Sequence, residues 1–125
     1  MQKLIVLDFE TNELSELFDY SFYGLHLVKL NLKGNLLEIL PENTFNGLEE
    51  SLAEIDLSEN KLSSFPIIPL IKMDYLRSLR LSVNKIMSIQ QDLAFQHFNS
   101  LIFLDISSNY LEALGSDYFR YFPFL

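Results

Sequence analysis

The sequence predicts an α/β-type solenoid of about five stacked repeats, built mostly of short parallel β-strands with an irregular or 3₁₀ convex side. Two observations predict this fold. An eleven-residue pattern recurs five times along the 125-residue chain, beginning at residues 4, 27, 52, 76 and 101. Every copy has asparagine at its ninth place and an aliphatic residue at its first, fourth and eleventh places. One such unit cannot bury its apolar side alone, so neighbouring units must stack.

The first half of each copy has the period of a β-strand. In "LAEIDLSENKL", which begins at Leu52, apolar and polar residues alternate around Ile55 and Leu57, which places the apolar side chains on one face. The asparagine then follows at a turn, where its amide can bond backbone groups that would otherwise lack partners. We expect these asparagines to form a ladder along the stack: Asn12, Asn35, Asn60, Asn84 and Asn109.

The second half of each unit carries a further column of large apolar residues, which we expect to fill the wider convex side. That column is Phe22, Phe45, Leu70, Phe95 and Phe119. The third unit departs from the others, because it has leucine in this column and the segment "FPIIPLI" around it. The two prolines of that segment predict that no regular helix forms there.

These residues resemble the leucine-rich repeat signature L-x-x-L-x-L-x-x-N-x-L, and the resemblance covers nearly the whole chain from Leu4 to Leu125. A period of ~24 residues with phenylalanine in the second half looks like the typical class of animal extracellular ectodomains, as in Toll-like receptors, Slit and chaoptin-like adhesion proteins. The resemblance implies a right-handed horseshoe segment. Residues 1–125 are then a single array with repeats at about 4–26, 27–51, 52–75, 76–100 and 101–124.

Neither end of the sequence carries a cap with a polar outer face, and the cysteine-rich capping modules of secreted members are missing. We therefore expect a fragment of a longer array that lacks both caps. Uncapped ends also predict self-association through exposed apolar side chains. These side chains are Leu4, Leu7, Phe9, Phe119, Phe122 and Phe124.

Composition and motifs exclude several classes of function. The net charge of −8 argues against nucleic-acid partners and against direct contact with anionic membranes. The absence of cysteine excludes disulfides and thiolate metal sites. His26 and His97 fall in connecting segments of different units, and no catalytic or phosphate-binding motif is present. We therefore predict no catalytic residues, no metal site and no cofactor, and we expect that the chain is not an enzyme.

The resemblance implies that the sheet lines the concave side and that partners most often dock there. Side chains at the second, third, fifth, seventh and eighth places face outward, and neighbouring strands lie ~4.8 Å apart. Opposite charges are therefore predicted to be adjacent in four pairs: Glu10 with Lys33, Lys29 with Glu54, Asp56 with Arg80, and Arg80 with Asp105. Of the three carboxylates Glu54, Asp56 and Glu59, only Glu59 has no predicted partner in its row, where it lies between Gly34 and Val83. With cations beside Glu54 and Asp56, a metal ion is unnecessary to balance these carboxylates.

Two interpretations of the concave side chains stay open. The first is cross-strand ion pairing, worth ~0.2–1 kcal/mol per pair. The second is a docking surface, because an aromatic residue beside arginines is the composition of an interface hot spot. The candidate partner-binding residues are Lys29, Glu54, Asp56, Arg77, Arg80, Ile102, Phe103 and Asp105.

The function that the resemblance implies is protein–protein interaction. The chain would be part of a cell-surface or secreted ectodomain that binds a protein ligand or receptor partner through its concave or lateral face. The alternative is a cytoplasmic scaffold or regulatory subunit built on the same repeat.

Overall fold

Five short β-strands form one parallel sheet in the computed structural model, which describes residues 5–87, 98 and 100–111. The strands are β1 (Val6–Asp8), β2 (Lys29–Asn31), β3 (Glu54–Asp56), β4 (Ser78–Arg80) and β5 (Phe103–Asp105). They pair in chain order, so each unit lies directly beside the next. The predicted solenoid of parallel strands is confirmed, and its register matches the alignment of the repeats. Six residues that carry expectations lie outside the described residues: Leu4, Phe95, His97, Phe119, Phe122 and Phe124.

The hydrophobic core lies between the sheet and the convex side. The central residue of each inner strand points into it, so that Leu30, Ile55 and Leu79 are buried. Their counterparts in the outer strands, Leu7 and Leu104, are only partly buried because each has a described neighbour on one side alone. Each fully buried aliphatic side chain contributes ~1.5–3 kcal/mol, so the stacked columns are the main source of stability.

Turns, rather than strands, build most of the convex side in the part of the chain that the structure describes. In the second unit, the backbone N–H groups of Thr44 and Leu48 donate to the carbonyl oxygens of Pro41 and Phe45, at 3.2 and 3.0 Å. The described members of the predicted apolar column, Phe22, Phe45 and Leu70, are buried inside these turns. The rings of Phe22 and Phe45 stack at a centroid distance of 5.9 Å with an interplanar angle of 9°.

One helical turn, α1 (Ile67–Leu70), lies within the proline-containing segment of the third unit. The prediction that no regular helix forms there was therefore wrong. Pro66 immediately precedes the helix and Pro69 lies in its first turn. Backbone N–H groups in the first turn of a helix have no intrahelical acceptor, so a proline there removes no hydrogen bond. The turn closes where the N–H of Ile71 donates to the carbonyl of Ile67 at 2.8 Å.

Asparagine side chains connect consecutive units at the end of the strands. The amide nitrogen of Asn60 donates to Leu57 O in its own unit and to Leu32 O in the preceding unit, both at 3.0 Å. Its amide oxygen accepts from the N–H of Leu37, also at 3.0 Å. Asn35, Asn84 and Asn109 repeat this arrangement. Asn12 differs, because its amide nitrogen donates only within its own unit.

Replacing Asn60 with alanine is expected to destabilise the protein by about 2–4 kcal/mol, because it leaves buried carbonyl and N–H groups without partners. Asn12→Ala is the matched control. It removes only exposed bonds within one unit, so we expect a loss below about 1 kcal/mol. Urea unfolding followed by circular dichroism measures both changes. Equal losses in the two variants would contradict a bridging role for the buried amides.

The eighth residue of every unit has a left-handed backbone. The φ angles are 56° at Thr11, 74° at Gly34, 54° at Glu59, 56° at Val83 and 54° at Ser108. Only glycine adopts this conformation without cost, and a β-branched residue such as valine is strained in it. The turn is therefore imposed by the stacking of the units and not by the preference of each residue.

Val83→Asn is expected to stabilise the protein by about 0.5–1 kcal/mol, because asparagine tolerates the left-handed region better than valine. At the equivalent place in the second unit, Gly34→Ala should destabilise it. An added Cβ there would lie 3.2 Å from Thr11 Oγ1 and 3.3 Å from Thr11 Cα. Denaturant midpoints measure both changes. A destabilising Val83→Asn would show that valine side-chain contacts outweigh the backbone strain.

Candidate functional site on the concave face

The parallel sheet brings the predicted concave residues into two rows. One row runs from Lys29 through Glu54 and Ser78 to Phe103. The other includes Asp56, Arg80 and Asp105, which are direct neighbours in β3, β4 and β5. Side chains of the first four strands line a shallow depression of about 340 Å³ between these rows.

Two ion pairs connect concave side chains among the described residues. Lys29 Nζ lies 3.1 Å from Glu54 Oε2, as the row alignment predicts. Lys33 Nζ lies 3.8 Å from Glu59 Oε2, so the predicted pairing of Lys33 with Glu10 was wrong, and Glu59 does have a partner. Glu10 Oε2 instead accepts a bond from the Asn31 amide at 3.4 Å. Exposed pairs of this kind contribute ~0–1 kcal/mol each, so they add little to stability.

The fifth-place aspartates and asparagine have a structural role that the sequence interpretation missed. In four units, the side-chain oxygen at this place accepts a hydrogen bond from the backbone N–H two residues later. These acceptors are Asp8 (2.9 Å), Asn31 (3.0 Å), Asp56 (2.9 Å) and Asp105 (3.0 Å). Short side chains with an oxygen on Cγ are suited to such turns. The recurrence of Asp or Asn at one place of the repeat is the sequence signal that could have revealed this role.

Arg80 occupies the fifth place of the fourth unit and cannot accept such a bond, because a guanidinium has donors only. The predicted adjacency of Arg80 to Asp56 and Asp105 is confirmed by the strand register, but Arg80 forms an ion pair with neither. The Cζ atom of Arg80 lies 4.5 Å from the centroid of the Phe103 ring instead. A cation over an aromatic face at this distance is a cation–π contact.

Four neighbouring side chains form an arginine–phenylalanine patch: Arg77, Arg80, Ile102 and Phe103. Arg80 and Phe103 lie in β4 and β5, and Arg77 and Ile102 immediately precede these strands. All four are exposed, with Ile102 at 62% and Phe103 at 41% of full accessibility. Their backbone is held firmly, because the N–H groups of Ile102 and Phe103 both donate to Arg77 O at 3.0 Å. The patch thus places two exposed apolar side chains and two exposed arginines on neighbouring strands of the sheet.

Lys29 and Glu54 lie outside this patch, one strand or more away along the depression, and neutralise each other. Asp56 and Asp105 flank Arg80 but are engaged with the backbone. The eight candidate residues therefore divide into a mutually paired set, a backbone-bound set and the four residues of the arginine–phenylalanine patch. Ser58, expected to face outward at the seventh place, is buried and its Oγ accepts a bond from Ser82 Oγ at 3.0 Å.

The carboxyl group of Asp105 has its pKa lowered below the ordinary value of 3.8. The main cause is the Ser107 hydroxyl, which donates to Asp105 Oδ1 at 2.7 Å. The backbone N–H of the same serine also lowers the pKa, desolvation opposes the shift, and the charge of Arg80 has the smallest effect and again lowers the pKa. Asp105 is therefore ionised beside the patch at neutral pH.

Ser107→Ala is expected to raise the pKa of Asp105 towards its ordinary value, because the strongest hydrogen bond to the carboxylate is removed. A carboxyl group with a lowered folded-state pKa stabilises the fold above its unfolded pKa, and this contribution is lost as pH falls through the folded value. Replacement of Ser107 should therefore raise the pH at which the contribution of ionised Asp105 to stability is lost on acidification. Carbon-detected NMR titration of Asp105 measures the shift, and an unchanged pKa would contradict this assignment.

Carboxylates of the third unit lie close in sequence but do not converge. Glu54 pairs with Lys29, Glu59 pairs with Lys33, and Asp56 accepts from the N–H of Ser58. Within residues 5–87, 98 and 100–111, no group of three or more histidine, cysteine, aspartate or glutamate residues is placed to hold a metal ion. In the same part of the chain, no helix has the length and apolar character needed to cross a membrane.

Known proteins share both the sequence pattern and this architecture. Human leucine-rich repeats and immunoglobulin-like domains protein 1 is 36% identical over 99 residues, which are 78% of this chain. Chaoptin from Drosophila melanogaster is 35% identical over 109 residues, or 86% of the chain. A crystal structure of a TLR13–ssRNA13 complex superposes over 98% of the chain with a TM-score of 0.88 and 33% identity. The chain is a leucine-rich repeat protein.

A scan of family models found no match. The leucine-rich repeat chain spans 9% of the human protein, 8% of chaoptin and 17% of the TLR13 chain. Relatives of this repeat array are mostly extracellular or cell-surface proteins of the receptor or adhesion type. These relationships support a protein-interaction role for the array.

Proposed function

We propose that this leucine-rich repeat array is a non-catalytic binding module of a longer cell-surface or secreted protein, and that it binds a protein partner through the arginine–phenylalanine patch. The observation that carries the proposal is the side chain at the fifth place of the fourth unit. Each of the other units has an acceptor there for its own backbone. Arg80 cannot accept that bond, and its guanidinium lies over the exposed ring of Phe103 instead. A departure from a local structural rule is expected where a residue serves function.

The chemistry of the patch suits a protein interface. Phe103 and Ile102 offer an apolar centre, while Arg77 and Arg80 offer guanidinium donors at its edge. Aromatic residues and arginine are enriched in interface hot spots, where they lose water on binding. The contact with Phe103 also orients the Arg80 guanidinium before the partner arrives, which lowers the entropy lost on binding.

A protein partner is favoured over nucleic acid by charge. The chain carries 17 acidic and 9 basic residues, and phosphate backbones bind surfaces with a marked excess of cations. The complex of TLR13 with single-stranded RNA is a property of that protein. Single-stranded RNA is therefore tested as an alternative ligand of the arginine–phenylalanine patch. The relatives favour an extracellular or cell-surface setting over a cytoplasmic scaffold.

Arg80→Asn separates stability from binding. The new side chain can accept the backbone N–H of Ser82, as Asn31 accepts that of Lys33 at 3.0 Å. We therefore expect unchanged or higher stability together with at least a tenfold loss of partner affinity, the loss typical of a hot-spot residue. The wild-type chain would be screened against an array of purified extracellular domains. Every bound protein would then be tested with the variant by surface plasmon resonance.

Phe103→Ala should lose affinity to a similar extent, whereas Lys29→Ala is the control, because Lys29 lies in an exposed pair outside the patch. The proposal is wrong if every protein bound by the wild-type chain binds Arg80→Asn and Phe103→Ala equally well. It is also wrong if single-stranded RNA binds through the patch and no protein does.

A further inference from the structure

A second ladder of backbone hydrogen bonds runs along the flank of the solenoid, immediately after the strands. The N–H at the tenth place of a unit donates to a carbonyl of the preceding unit: Leu36 to Leu14, Lys61 to Leu37, Lys85 to Leu62 and Tyr110 to Ile86, at 2.8–2.9 Å. These bonds hold neighbouring units in register beyond the strands. Side chains at equivalent flank places are therefore lateral neighbours, as they are in the sheet.

The flank of the fourth unit alternates between buried and exposed residues. Asn84 and Ile86 are buried, whereas Val83 and Met87 are 49% and 62% exposed. Tyr110, in the flank row of the next unit, is also 62% exposed. Together with two lysines of this row, these side chains form the flank patch: Lys61, Val83, Lys85, Met87 and Tyr110. Large apolar side chains grouped on the surface commonly mark an interaction site.

Two like charges occupy adjacent places in the middle of the flank patch. Lys61 and Lys85 are equivalent residues of consecutive units, and neither forms an ion pair with any described residue. The carboxylate nearest to Lys61 in sequence, Glu59, pairs with Lys33 at 3.8 Å. Directly opposed like charges are destabilising. Lys61 and Lys85 are therefore two neighbouring cations without ion pairs in a chain whose net charge is −8.

Val83 adds backbone strain at the same place. It has a φ of 56° in a row whose other members are Thr11, Gly34, Glu59 and Ser108. Valine is the one apolar residue of that row, and its branched Cβ is poorly suited to the left-handed region. Strained residues persist at sites of function more often than elsewhere.

We propose that the flank patch docks an acidic protein segment. Carboxylates of the segment would face Lys61 and Lys85, and an apolar side chain would lie against Val83, Met87 and Tyr110. Relief of the repulsion between the two lysines favours an anionic partner. The patch has apolar side chains and only two cations, which favours a peptide over a nucleic acid, whose phosphates bind several cations. This surface is separate from the concave patch, so the proposal stands independently of it.

The test measures binding of the 125-residue chain to a short labelled peptide of alternating glutamates and leucines. Fluorescence anisotropy of the peptide gives the affinity. Lys61→Gln and Lys85→Gln should each weaken binding about fivefold, which is the upper range for an exposed charge pair. Lys72→Gln is the matched control, because Lys72 is exposed in the third unit outside the patch. Phe103→Ala should leave the affinity unchanged.

Lys85→Glu provides a second readout. It replaces repulsion from Lys61 with attraction, so the melting temperature should rise while peptide binding is lost. The proposal is overturned if the peptide does not bind, or if its affinity is insensitive to both lysines. It is also overturned if Phe103→Ala abolishes binding. A further contradicting result would be single-stranded RNA that binds more tightly than the peptide and loses affinity when Lys85 is replaced.

Discussion

Each polypeptide turn that leaves the sheet carries backbone groups that the strands no longer pair, and the rest of the structure depends on how these groups are satisfied. Buried asparagine amides do so by bonding their own unit and the preceding one at about 3 Å. This bridging holds consecutive units together at the spacing at which their strands pair. The strands pair and the apolar columns of neighbouring units come into contact only at that spacing, so hydrophobic burial and backbone hydrogen bonding support each other.

A solenoid built in this way separates structural residues from functional candidates. A side chain that makes the same bond in unit after unit, as Asp56 and Asp105 do, serves the fold. A side chain that breaks the pattern requires another explanation. Arg80 breaks the fifth-place pattern, and Val83 places an apolar branched residue in a left-handed turn. Both departures fall in the fourth unit, one on the concave face and one on the flank.

Electrostatics points to the same part of the array. The first unit and the outer side of the second contain glutamates and aspartates without lysine or arginine. Among the described residues, the exposed cations without ion pairs lie in the third and fourth units. Arg77 and Arg80 face the concave side, and Lys61 and Lys85 face the flank. The two proposed binding surfaces thus share one composition, exposed cations without ion pairs beside exposed apolar groups, and they can be tested separately.

The sequence by itself determined the solenoid, the strands and their register, and the residues of the core. These follow from a period of two within each strand and a period of ~24 between units, and both are properties of the chain alone. Only the tertiary structure decided which side chains meet. Lys33 pairs with Glu59 and not Glu10, and the Arg80 guanidinium lies over Phe103 and forms no ion pair with Asp56 beside it. Long charged side chains reach several neighbours at similar cost, so their partners depend on distances of a few ångströms. The helical turn α1 depended likewise on where Pro69 falls within the turn.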